Sequence, residues 1–212
     1  MTIYVDSADL ADAKSAADLG FVAGITTNPT LMRAVTTEPL RHLEKLLSSV
    51  DFAEVFYQPC GAYGGLADEA MTAWSLAPGR VVVKLPATPA GVRAAVDVLA
   101  NDVPVSLTAA QSPNAMVVAR AIGAGSVIPY VDRALRDQRT DDALVAALAS
   151  VRGDSGVRIV AASVKNLGQF TAAYREGADA VTAPLSLLGE LLRHPAGLDA
   201  ESAFAAEYAA GV

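Results

Sequence analysis

The stretch Arg80-Val81-Val82-Val83-Lys84-Leu85-Pro86 reads as one short strand carrying a single charge near its end. Its β-branched run marks a segment covered on both faces, as in a parallel sheet. Period-two alternation puts Val82, Lys84 and Pro86 on one face and Val81, Val83 and Leu85 on the other. An ammonium group inside such a run is costly unless it is paired or used. Two readings are open: an interior salt bridge, with Asp6 as the candidate partner, or a nucleophilic amine whose pKa burial lowers.

The same texture recurs along the chain. Strands are expected at Thr2–Val5, Phe21–Ile25, Phe52–Tyr57, Arg80–Leu85, Val103–Leu107, Ser126–Val131, Val157–Ala161 and Ala180–Ala183. Alanine- and leucine-rich helices fill the gaps. Ser7 is expected to cap the first, which ends at Gly20; the second covers Pro39–Ser49 and the third runs from Leu66 to Leu76. Thr88-Pro89 and Ser112-Pro113 open the next two, with Gly123 closing the latter. Asp141–Val151, Asn166–Arg175 and Leu185–Leu192 complete the set, and Ala200–Ala209 falls outside the repeat. Strands alternating with helices over short connections imply parallel strands joined by crossovers, and eight such units suggest closure. The expectation is therefore an α/β chain forming one (β/α)₈ TIM barrel over residues 1–212 with an extra C-terminal helix. A doubly wound open sheet is the alternative.

Polar residues gather at one end of these strands, the end that forms the catalytic face of such barrels. Asp6, then Thr26-Thr27-Asn28, Gln58, Lys84, Thr108, Tyr130 with Arg133, and Ser163 with Lys165 follow seven of the eight strands. Each has an ordinary reading. Asp6 would cap the first helix, Tyr130 would be a packed aromatic, and Arg133, Ser163 and Lys165 would be solvated loop residues. Taken together, two cations and a hydroxyl on adjacent strands suit a phosphate. Cys60 reads as a small packed residue.

Composition narrows the classes. The chain has 212 residues, 52% hydrophobic and 18% charged, which argues against disorder. A net charge of −7 disfavours nucleic acid as a partner. A lone cysteine suits a reducing cytoplasm, and neither a signal peptide nor an apolar run long enough for a membrane span is apparent. His42 and His194 lack metal-ligand spacing, so no metal site is expected, and no nucleotide-binding glycine loop is present.

Tyr4-Val5-Asp6, Gly24-Ile25-Thr26-Thr27-Asn28-Pro29, Val82-Val83-Lys84-Leu85-Pro86, Pro129-Tyr130-Val131-Asp132-Arg133 and Ala161-Ala162-Ser163-Val164-Lys165 resemble, in order and at strand ends, the transaldolase family, and in particular its small fructose-6-phosphate aldolase-like branch. The resemblance implies a class I (Schiff-base) aldolase acting on a ketose such as fructose 6-phosphate, with a dihydroxyacetone-type donor and an aldehyde. Lys84 would form the Schiff base. Asp6 and Tyr130 would serve proton transfers. Asn28 and Thr108 would hold substrate or a catalytic water, which Gln58 would help position; Thr26 would join the substrate-binding residues. Arg133, Ser163 and Lys165 would receive a phosphate. No cofactor is implied, because the iminium is itself the electron sink. True transaldolases, which transfer dihydroxyacetone between sugar phosphates, usually have glutamate at the position of Gln58 and phenylalanine at that of Tyr130; the aldolase branch has glutamine and tyrosine. Gln58-Pro59-Cys60-Gly61 and Asp132 depart from the pattern, and Asp132 would weaken phosphate binding at Arg133. A non-catalytic barrel that binds a sugar phosphate is the alternative of another class. The resemblance also implies a homo-oligomer, possibly a decamer, with the last helix on a neighbouring subunit; the helix folding back on its own barrel is the other reading.

Overall fold

Strand-to-strand pairing decides between closed barrel and open sheet, and a computed structural model shows it closed. The structure describes residues 1–61, 64–137 and 143–211. The strands are β1 (Thr2–Asp6), β2 (Gly24–Thr26), β3 (Glu54–Tyr57), β4 (Val81–Pro86), β5 (Val105–Ala110), β6 (Ser126–Pro129), β7 (Arg158–Ala161) and β8 (Ala180–Ala183). All pair in parallel in chain order, and β8 returns to β1. Around them lie α1 (Leu10–Asp18), α2 (Pro29–Val35), α3 (Pro39–Ser49), α4 (Leu66–Ser75), α5 (Pro89–Leu99), α6 (Asn114–Ile122), α7 (Val131–Arg136), α8 (Leu144–Arg152), α9 (Leu167–Arg175), α10 (Leu185–Glu190) and α11 (Pro195–Ala210). The fold is the expected (β/α)₈ barrel with a C-terminal helix.

Several local expectations are corrected. Asp9, not Ser7, caps α1, accepting from the Ala11 and Asp12 amides; Ser7 instead donates to Asp12. The second strand starts at Gly24, where its ladder with β1 begins, Gly24–Thr26 standing in register with Tyr4–Asp6. Two short helices were not anticipated: α2, capped by Asn28 with Pro29 in its first turn, and α7, which begins at Val131 where the sixth strand seemed to continue. Six or seven residues are too few for helical periodicity to stand out. The helix expected from Asp141 begins, among described residues, at Leu144, and Asp141 itself lies outside them. The last helix starts at Pro195 and has no buried residue, with Phe204 and Tyr208 69% and 80% exposed. It does not fold back onto its own barrel.

Two apolar layers hold the barrel. Outward-facing Val81, Val83 and Leu85 join the layer under the helices, while Tyr4, Phe56, Val82, Ile128, Val160 and Ala180 fill the interior. The N-terminal end of the interior is plugged. Arg158 donates to both Glu54 carboxylate oxygens at 3.0 and 2.5 Å, and the Tyr4 hydroxyl donates to Glu54 as well. Burial pushes the Glu54 carboxyl up, but hydrogen bonds from Arg158 and Tyr4 outweigh it and hold the group below its usual value. These groups satisfy one another at that end, and the polar cavity opens at the other, beyond the C-terminal ends of the strands.

Helix α5 packs directly on the end of the Lys84 strand. A Cβ at Gly91 would lie 2.0 Å from the Pro86 carbonyl oxygen. Gly91→Ala should therefore destabilise the fold by ~3 kcal/mol, as overpacking against backbone does, and lower the melting temperature by roughly 6–12 °C. A melting temperature within a degree of the parent would show that α5 can shift freely.

Candidate functional site

Lys84 is placed by β4 with its side chain inside the barrel, where it is 3% exposed. Its Nζ donates to the Thr27 carbonyl oxygen at 2.7 Å. That carbonyl is held in turn by its own residue, whose amide and hydroxyl both bond the Phe56 carbonyl at 2.9 Å. Among the described residues no ion pair joins Lys84 to Asp6, so the salt-bridge reading is not realised. Burial pushes the Lys84 pKa down from 10.5 to about 8, and the charge of Asp6 acts only partly against it. The result is an amine about a tenth of which is free base at pH 7, against well under a thousandth for an ordinary lysine.

The amine opens on a cavity of about 420 Å³ at the C-terminal mouth. Asp6, Asn28, Gln58, Tyr130, Arg133, Ser163 and Lys165 line it with Lys84, so eight of the ten anticipated residues converge. Thr26 and Thr108 stand behind the lining, fully buried. Thr26 donates to the Asp6 carboxylate at 2.8 Å, and Thr108 lies 3.4 Å from the Tyr130 hydroxyl. Asn28 spends its side-chain oxygen on the Leu31 amide at 3.0 Å, which starts α2 at the rim. Gln58 Oε1 is buried without a hydrogen-bond partner. A buried orphan acceptor on a cavity wall is costly in isolation and suits a donor from a ligand or water.

Arg133 lies with its guanidinium 4.7 Å over the Tyr130 ring. Asp132 does not neutralise it. The Asp132 carboxylate takes Arg136 through one oxygen and the Gln169 amide at 3.3 Å through the other. Ser163 has φ of +60° and Ala109 of +57°, conformations unfavourable for residues with a Cβ. Ala109 marks the register shift in β5 between Thr108 and Ala110. Both strained residues border the cavity.

Sequence reading missed Ala109, Ala162 and the first turn of α2, Pro29–Leu31, as lining residues, since apart from Thr30 their side chains are apolar and give no chemical signal. It also missed Glu69, a buried carboxylate that accepts from the Tyr57 hydroxyl at 2.7 Å and the Gly61 amide at 2.9 Å, bracing the loop after Gln58. Cys60 is exposed rather than packed. A larger hollow of about 660 Å³ lies at the opposite end of the barrel, before β6 and β7. Its lining is glycine, alanine and valine apart from Arg120 and Ser155, which brings no set of reactive groups together. The smaller mouth is where the charged and polar side chains gather.

Among the described residues, no helix is long and apolar enough to cross a membrane. Comparison with known proteins agrees with the geometry. The family model described as transaldolase/fructose-6-phosphate aldolase matches residues 3–212. A probable transaldolase of Symbiobacterium thermophilum is 31% identical over 201 residues, covering 92% of this chain and 91% of its own. One from Hydrogenobaculum is 34% identical over 200 residues, with 92% and 90% covered. One from Nitrosopumilus maritimus is 31% identical over 199 residues, with 92% and 89% covered. A barrel of this topology, a buried lysine at its mouth and a match over nearly the whole chain together mean that this protein belongs to the transaldolase/fructose-6-phosphate aldolase family.

Proposed function

We propose that this protein is a class I aldolase that cleaves or forms a ketose such as fructose 6-phosphate, exchanging a dihydroxyacetone unit and an aldehyde through a Schiff base on Lys84. The observation that carries the reading is the buried Lys84 amine, free of any ion pair with Asp6 and opening on the polar cavity. Its attack on the ketose carbonyl, with loss of water, yields an iminium. Cleavage then requires a base to remove the proton from the hydroxyl on the carbon beyond the breaking bond. Asp6 is the carboxylate on that wall. The carbon–carbon electron pair passes to the iminium nitrogen, the aldehyde departs, and an enamine remains. Tyr130 delivers a proton to the enamine carbon, with Thr108 holding its hydroxyl. Gln58 and Asn28 orient the water that hydrolyses the new iminium and returns Lys84. Arg133, Ser163 and Lys165 receive the phosphate, and the engagement of Asp132 with Arg136 leaves that anion site cationic.

Borohydride reduction with the donor ketone, followed by peptide mass analysis, tests the reading. A stable adduct on Lys84 is expected; no adduct with any ketose would leave the non-catalytic sugar-phosphate binder. The names of the relatives favour transfer to a second aldehyde as the competing reading, and Tyr130 separates the two. Tyr130→Phe should lower cleavage without acceptor by about tenfold more than it lowers transfer, because only cleavage must protonate a released enamine. Equal losses would remove Tyr130 from that step.

The homo-oligomer also belongs to this proposal, with α11 seated on a second copy. A helix that buries nothing of its own yet presents Phe204 and Tyr208 needs a partner surface to be stable. Truncation from Pro195 onward should lower the mass seen by light scattering while the barrel stays folded; an unchanged mass would clear α11 of any role in assembly.

A further inference from the structure

Behind the mouth runs a buried hydroxyl chain that the reaction outlined above leaves partly unexplained. Thr26 on β2 lies between Asp6 on β1 and Thr182 on β8, with oxygen–oxygen distances of 2.8 Å to Asp6 and 2.7 Å to Thr182. Both threonines are shielded, at 0% and 1% exposure. β8 registers Thr182 against Tyr4 on β1, and Thr182 still reaches Thr26 across β1 inside the barrel.

The direction of each hydrogen bond follows from proton counting. An ionised carboxylate only accepts, so the single hydroxyl proton of Thr26 goes to Asp6. In the Thr26–Thr182 pair, the donor is then Thr182. Its donation polarises the Thr26 hydroxyl and strengthens the charge-assisted bond to Asp6. Thr26 occupies Asp6 Oδ1, which leaves Oδ2 as the oxygen to take a proton from substrate. A threonine that merely fills space on β8 would need its methyl and not its hydroxyl.

We infer that Thr182 is a positioning residue for Asp6, acting through Thr26 and touching neither substrate nor Lys84. The inference rests on Asp6 being the base of the proposed reaction. Thr182→Val keeps the shape and removes the donor. It should lower kcat for cleavage by about five- to tenfold, the worth of one buried hydrogen bond, with KM within about twofold of the parent. Thr182→Ser should restore kcat to within about twofold of the parent. In a Thr26→Val background, Thr182→Val should cost nothing further, since its route to Asp6 is already cut. The borohydride adduct on Lys84 should form undiminished in Thr182→Val. Unaltered kcat in Thr182→Val, a Thr182→Ser variant as slow as the valine, or losses that multiply in the double variant would each overturn the role. Failure of the parent protein to form the adduct is a separate outcome, which overturns the Schiff-base reading and this inference with it.

Discussion

Lys84→Met is expected to abolish ketose cleavage, by at least ~10⁴-fold, and at the same time to stabilise the fold at neutral pH. The first effect follows from removing the buried amine proposed to form the iminium; the second from the environment that activates it. Burial lowers the folded-state pKa of Lys84 from 10.5 to about 8. Between those values the unfolded chain binds more protons than the folded one, so the stability of the parent protein rises with pH across that window. Below about pH 8 the lysine is charged in both states, and the full cost of burying the ammonium is present, ~3 kcal/mol at one pKa unit per 1.36 kcal/mol. Methionine avoids that cost but leaves the Thr27 carbonyl without its donor, so a net gain of ~2 kcal/mol is expected near pH 7. Thermal melts at pH 7 and pH 10 check this: the advantage of Lys84→Met should shrink as the pH rises. An advantage that grew with pH would mean that Lys84 is not held with a lowered pKa. The same shift sets the rate profile of the parent. At pH 7 an amine with a pKa of about 8 is roughly 300-fold more available as free base than one at 10.5. Adduct formation should climb nearly tenfold per pH unit up to about pH 8 and then level off.

Asp6→Asn is expected to lower cleavage by about 10²- to 10⁴-fold while the Lys84 adduct still forms. An amide keeps an acceptor for the Thr26 hydroxyl but cannot take the substrate proton. It also removes the negative charge that pulls the Lys84 pKa upward. The rising limb of adduct formation should therefore move to lower pH, and trapping below pH 7 should be at least as fast as in the parent protein. Single-turnover trapping and steady-state cleavage, measured side by side, separate the two effects. Cleavage within about tenfold of the parent would remove Asp6 as the base. A limb moved to higher pH would mean that Asp6 does not act electrostatically on Lys84.

Alternation of apolar strands and helical stretches indicated a parallel α/β fold, and eight such units suggested closure, but an open sheet has strands covered on both faces too, and the pairing of β8 with β1 decided for the barrel. Because such strands carry few polar residues except where they end, Lys84 stood out in Val81–Leu85, and Asp6, Asn28, Gln58, Tyr130 and Ser163 were legible as strand-end groups that do meet in one cavity. The resemblance sharpened which of them to name. What the sequence determined by itself was thus one-dimensional: which residues sit at which end of which strand. The tertiary structure decided their partners. Lys84 bonds a carbonyl 57 positions away rather than Asp6, and Thr182 meets Thr26 across 156 positions. Asp132 turns to Arg136 and Gln169 instead of its neighbour Arg133. Ala109 and Ser163 take left-handed backbone conformations with no glycine to announce them. Each outcome depends on barrel closure and strand stagger, which set distances between side chains remote in the chain. Local pattern carries the direction in which a side chain points, and only packing settles which atom it reaches.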